Sequence, residues 1–188
     1  MVDEKFQIIA DRENIEFSKK CSKWWNGNAY LSLYNYFSKF FYKNGLIKIS
    51  YEYRQSEFSK PSVIDGGMLG DRHICNIVCE IKAIDICNFK ITERSILSKL
   101  LYSKTTANFK VKCLDIFIRK QLLLNINLLE IFKIAENSPE FSPLITGQLN
   151  KQGLYIIKIN YNTQMMNSKI IDFCIDFCKD IINLSSKK

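Results

Sequence analysis

The spacing of apolar residues changes along this chain, and each change predicts a different kind of element. Phe6, Ile9, Ala10, Glu13 and Phe17 fall at intervals of three and four, so that Phe6, Ile9 and Phe17 can share one face of an amphipathic helix. Asn28 suits the cap of a second helix, whose stripe would be Tyr30, Leu33, Tyr34, Phe37, Phe40 and Phe41, with Asn44-Gly45 as a left-handed stop. The section from about Glu4 to Asn44 is therefore predicted to be helical, with Trp24 and Trp25 just ahead of its aromatic stripe.

The period then drops to two. Leu46 to Tyr53 alternates as a half-buried strand, with Ile47, Ile49, Tyr51 and Tyr53 on one face and Lys48, Ser50 and Glu52 on the other. Residues Arg54 to Gly70 hold Pro61 and three glycines and read as a loop, after which Arg72 to Phe89 is β-compatible. The expected arrangement is an antiparallel pair joined by a mobile connection.

From Phe89 onward the elements mix. Phe89-Lys90-Ile91 ends a strand, Thr92 suits the cap of a helix reaching about Tyr102, and Phe109 to Cys113 returns as a short strand. Two helices follow, Asp115 to Leu124 and Leu128 to Glu136, the second stopped by Asn137-Ser138-Pro139. Leu144 to Leu149 and Leu154 to Asn160 flank Asn150-Lys151-Gln152-Gly153 as a hairpin. A helix from about Met165 to Leu184 closes the chain, with Met166, Ile170, Phe173, Phe177, Ile181 and Leu184 along its apolar stripe. Together these elements predict one α+β domain, a mainly antiparallel sheet covered by amphipathic helices, with a helical N-terminal section (about 4–44) and a mixed section (about 46–184).

Composition supports a packed core without staples, since 188 residues that are 47% hydrophobic and 13% aromatic can bury one unaided. The seven cysteines are odd in number and mostly sit in apolar runs, which points to free thiols and a reducing compartment. No run approaches the roughly 20 apolar residues of a membrane span, and the start MVDEKFQ is acidic where a signal peptide is basic. A cytoplasmic protein is the expectation. The net charge of +8 comes mainly from lysines that look scattered, in a sequence rich in Lys, Asn and Ile throughout, so a solvated surface is its plain explanation.

Candidate chemistry is thin. His73 is the only histidine, which removes most routes to acid-base, nucleophilic and zinc catalysis near neutral pH, and no enzyme is predicted. His73, Cys75 and Cys79 would share one strand face, but residues 73 and 79 would lie about 20 Å apart, too far for one metal ion. Asp172, Asp176 and Asp180, spaced by four on the last helix, invite a divalent-ion reading but equally suit a solvated face. The segment Asp65 to Arg72 concentrates glycine and could present backbone amides to an anion, although it leads into a strand where a phosphate loop opens a helix. No cofactor and no metal site are predicted.

The order of Phe89-Lys90-Ile91 before a helix, Phe109-Lys110-Val111 before a helix with Leu122-Leu123, and Gly153-Leu154-Tyr155-Ile156 before a terminal amphipathic helix resembles a group of uncharacterised bacterial α+β domains over roughly residues 75–184. The shared motifs are apolar and structural, so the resemblance implies a fold and carries no catalytic residue. Members of that group often have membrane segments, which this sequence lacks. The functional expectation is a non-catalytic protein-interaction or adaptor module of bacterial or phage type, binding through Trp24 and Trp25 or through a loop site of Asp65, Asp71, Arg72 and His73. The alternative is a basic protein that binds nucleic acid or another polyanion.

Overall fold

The computed structural model of the protein describes residues 2–25, 29–58, 72–82, 86–93, 109–138, 140–164 and 166–185. It is an α+β fold in which, among the described residues, eight strands form one sheet: β1 (Ser18–Trp25), β2 (Ala29–Tyr42), β3 (Gly45–Phe58), β4 (Arg72–Lys82), β5 (Phe89–Glu93), β6 (Phe109–Cys113), β7 (Leu144–Leu149) and β8 (Leu154–Thr163). Their spatial order is β1-β2-β3-β4-β8-β7-β5-β6, and every neighbouring pair is antiparallel. The helices are α1 (Val2–Glu13), α2 (Ile116–Leu123), α3 (Ile126–Glu136) and α4 (Ser168–Ser185). Among the described residues, no helix is long and apolar enough to cross a membrane.

Alternation along the strands sorts side chains onto two unlike faces. On one, Ile49 pairs with Ile77, Ile77 with Ile159, Ile159 with Ile145, and Ile145 with Ile91, so one row of isoleucines crosses five strands. All five are fully buried. The helix α4 belongs to the same core through Ile170, Ile171, Cys174, Phe177, Cys178 and Ile181, joined by Leu128, Ile131 and Phe132 of α3 and Phe6 and Ile9 of α1. Each buried isoleucine removes enough apolar surface to contribute about 1.5–3 kcal/mol, which makes this row the anchor of the sheet.

Local signals bound the helices, and among them the sequence predicts Asp115 at the start of α2 but neither Asn14 nor Asn125. Asn14 adopts φ 53°, the Ile15 N–H donates to the Ala10 carbonyl (3.0 Å), and α1 stops in a Schellman-like turn. Asp115 and Asn125 cap α2 and α3, accepting from the N–H groups of Ile118 and Leu128 at 3.0 Å each.

Three expectations are corrected. The second helix predicted over 28–44 is instead strand β2, and the predicted helical section is helical only through Glu13. Its apolar residues fit both periods because both faces of the strand carry them: Tyr34, Tyr36 and Phe40 turn toward the helices while Leu31, Leu33 and Phe37 turn away. Aromatic residues favour strands, and pairing with β1 and β3 on either side decides the matter. Asn44-Gly45 then belongs to a tight hairpin turn, with Lys43 at φ 51°. Next, the loop expected from Arg54 begins later, since β3 runs to Phe58. Finally, Thr92 is a strand residue paired with Lys110. The helix expected after Thr92 and the glycine-rich segment 65–71 lie outside the described residues.

The acidic stripe of α4 is absorbed by neighbours. Arg12 of α1 pairs with Asp172 (3.4 Å) and Asp176 (3.1 Å), and Asp180 accepts from Asn125 Nδ2 (2.7 Å) and Asn127 Nδ2 (2.9 Å). Asp172 is the strained member. Its Oδ1 is buried with no hydrogen-bond partner among the described residues, and burial raises its pKa against the pull of Arg12. The folded chain therefore holds that proton more tightly than the unfolded chain, and this contribution to stability falls as pH rises from the ordinary carboxylate range through the raised value. Asp172→Asn should accordingly be more stable than wild type at pH 7, and the gain should shrink toward zero as both are unfolded in urea at pH 5 and then pH 4.

Gly147 marks a close approach between strands and ring systems. A Cβ there would stand 2.6 Å from both the Phe89 Cζ and the Tyr155 hydroxyl, which are themselves buried. Tyr155 donates to the Cys87 carbonyl at 2.8 Å, so it cannot yield freely. Gly147→Ala is expected to lower stability by about 1–3 kcal/mol, as overpacking does, read as a fall in the urea midpoint with unchanged slope.

Candidate functional site

The face of the sheet turned away from the helices carries most of the strand charge. Register places Lys20, Lys39, Lys48, Arg54, Arg72, Lys82, Lys90, Lys110, Lys112 and Lys158 there, against Glu52 and Glu80 among the described residues. Glu52 pairs with Arg54 (2.6 Å) and Glu80 with Lys48. Lys39, Lys90, Lys110, Lys112 and Lys158 are exposed and form no ion pair among the described residues.

These lysines are ordered. Lys39 pairs with Lys48, Lys48 with Val78, Val78 with Lys158, Lys158 with Thr146, Thr146 with Lys90, and Lys90 with Lys112, so a single row crosses seven strands. At about 4.8 Å per strand the row is about 29 Å long. Beside it runs a polar row, Ser50, Asn76 and Asn160, in which Asn76 and Asn160 face each other across β4 and β8. At the β2 end, Phe37 and Phe41 stand on either side of Lys39 along the strand, 44% and 79% exposed. Like charges at this spacing repel one another, and an anion lying along the row would relieve that repulsion.

The residues singled out from the sequence do not converge. Trp24 lies on the open face opposite Leu31, whereas Trp25 points to the other face and packs against Tyr30 with ring centroids 4.9 Å apart. Both indoles are roughly half exposed, at 45% and 46%. Arg72 begins β4 on the open face beside Arg54, and His73, its neighbour, is turned into the core. There the His73 Nδ1 shares a 2.8 Å hydrogen bond with the Tyr51 hydroxyl, and its ring stacks on Tyr53 at 4.6 Å. Asp65 and Asp71 lie outside the described residues. The lysine row itself was missed because its members are separated by 9 to 46 positions in the chain; the one available signal was the alternation that sets lysines opposite apolar residues in each strand.

Other chemical groups are occupied by structure. Cys75 is buried, which pushes its thiol up to about 12, and Cys174 and Cys178 are raised as well, so these thiols stay protonated at neutral pH. A cleft of about 360 Å³ between α1 and the β1–β2 hairpin is lined by Asp3, Phe6, Phe17, Lys19 and Tyr36. Its polar groups satisfy one another, since Lys19 and the Tyr36 hydroxyl donate to Asp3 at 2.8 and 2.7 Å. No group of three His, Cys, Asp or Glu side chains placed to hold a metal ion occurs among the described residues. No known family, curated protein or solved structure matches the chain.

The burial of His73 yields a direct test of its role. Tyr51→Phe removes one partner of a buried hydrogen bond and should cost about 1–3 kcal/mol of stability. The loss should appear as a lower urea midpoint with an unchanged slope, followed by circular dichroism.

Proposed function

We propose that this protein is a non-catalytic binder of polyanions and that it holds them on the open face of its sheet. The observation that carries the reading is the row of Lys39, Lys48, Lys158, Lys90 and Lys112, brought into line by strand register from distant parts of the chain. Lysines at such spacing raise the local potential well beyond what a net charge of +8 spread over the whole surface would produce. The core isoleucines require the register, but nothing in their packing requires lysine on the opposite side. Serine, threonine or glutamate would solvate that face equally well.

A second reading rests on β1. This edge strand is exposed along all eight residues and carries Trp24 and Trp25, so its outer side, which pairs with no strand among the described residues, could accept a strand from a protein partner. Lys19, Lys20 and Lys23 along the same strand weigh against it, because edge lysines discourage pairing.

The polyanion reading is tested with a fluorescein-labelled heparin fragment at 50 mM salt. Lys90→Glu combined with Lys158→Glu should weaken binding by at least about tenfold, because two anion contacts become repulsive. Lys120→Glu combined with Lys133→Glu makes the same change in net charge on exposed positions of α2 and α3 and should leave binding within about twofold of wild type. Equal losses in the two double variants would show that only net charge matters and would remove the open face as the site.

A further inference from the structure

We infer that the polyanion is a single-stranded nucleic acid, running across the sheet along the lysine row with bases laid on Phe37 and Phe41; this rests on the polyanion reading above. Charge alone does not choose among anionic polymers, but the neighbours of the row do. Phe37 and Phe41 flank Lys39 on the same strand and face, at spacings of about 7 Å on either side. A backbone crossing at Lys39 therefore passes between two exposed rings. Bases leaving that backbone to either side meet an aromatic surface, and stacking of this kind tolerates any base because each has a π-face.

Beyond the rings, the side-chain amides of Asn76 and Asn160 lie in the row next to Val78 and Lys158. Each amide both donates and accepts, which suits the edges of unpaired bases; the discrimination against a sulfated sugar rests on the two phenylalanines, which a sugar chain without aromatic rings cannot stack on. The face also offers no continuous apolar surface for a bilayer, because Ile74, Val78 and Ile156 are interrupted by Ser50, Asn76, Asn160 and the lysines. A duplex keeps its bases stacked within the helix, so their faces are not available to Phe37 and Phe41.

The experiment is a set of anisotropy titrations with labelled dT12, a 12-base-pair duplex, the heparin fragment, and phosphatidylserine-phosphatidylcholine vesicles. Wild type should bind dT12 more tightly than the duplex or the vesicles, and dT12 affinity should fall about 100-fold between 50 and 200 mM salt if five phosphates are engaged. Phe37→Ala with Phe41→Ala should cost dT12 affinity at least about 25-fold, at fivefold or more per stacked base, while heparin affinity stays unchanged. Phe37→Tyr with Phe41→Tyr should bind dT12 as wild type does. If the alanine pair binds dT12 normally, or if duplex or vesicles are bound at least as tightly, the single-strand inference fails while the lysine-dependent heparin result stands. If heparin affinity is indifferent to the lysine row, the failure lies in the polyanion reading itself.

Discussion

The row Ile49, Ile77, Ile159, Ile145 and Ile91 constrains everything else in this molecule, because its burial under the helices fixes which face of each of the five strands turns inward. A slip of one residue in any strand would turn its isoleucines to solvent and its polar residues into the core. For β8 the slip would bury Lys158 without a partner, at a cost of several kcal/mol on top of the burial lost by Ile157 and Ile159. The strands are thus locked from the inside, and the outer face inherits an order that it did nothing to enforce.

That inheritance explains how scattered lysines become a line. Lys48, Lys158, Lys90 and Lys112 each stand one position from a residue of the buried row, so aligning the isoleucines and Val111 aligns the lysines on the reverse side. Repulsion within the line is tolerable because the ammonium groups remain in water, where screening over about 8–10 Å limits it. It is not cancelled, since Lys48 alone among the row is paired to a carboxylate among the described residues. Such a face keeps concentrated positive charge exposed to water, and the two phenylalanines beside Lys39 add apolar surface where solvation alone would favour polar residues.

Groups that suggest chemistry when read singly are used for cohesion. The histidine closes a hydrogen bond with Tyr51 and stacks on Tyr53, the carboxylates of α4 hold Arg12 and the two asparagines near the α2–α3 junction, and the central cysteines fill the core as small apolar groups. The histidine, Asp176 and Asp180 are thereby satisfied, and the Asp172 Oδ1 alone among these groups stays buried without a hydrogen bond. The open face is different in kind, for its polar groups point to water and several have no partner among the described residues.

Much of the fold was legible in the chain. Alternation marked β3, β-compatible composition marked β4, the turn at Asn150–Gly153 marked β7 and β8, Asp115 opened α2 and the Asn137-Ser138-Pro139 cluster stopped α3, and the apolar stripe of the last helix announced a cover for the sheet. These signals are local, since capping and periodicity act within a few residues. The identity of β2 was not local: its aromatic residues fit helix and strand alike until β1 and β3 paired with it. The candidate site was less legible still, because a lateral row in an antiparallel sheet joins residues with no fixed separation in sequence. Sequence determined which residues alternate and therefore which side chains share a face within one strand; only the tertiary register, set by burial of isoleucine against isoleucine across strands, decided that Lys39, Lys48, Lys158, Lys90 and Lys112 would stand in one line.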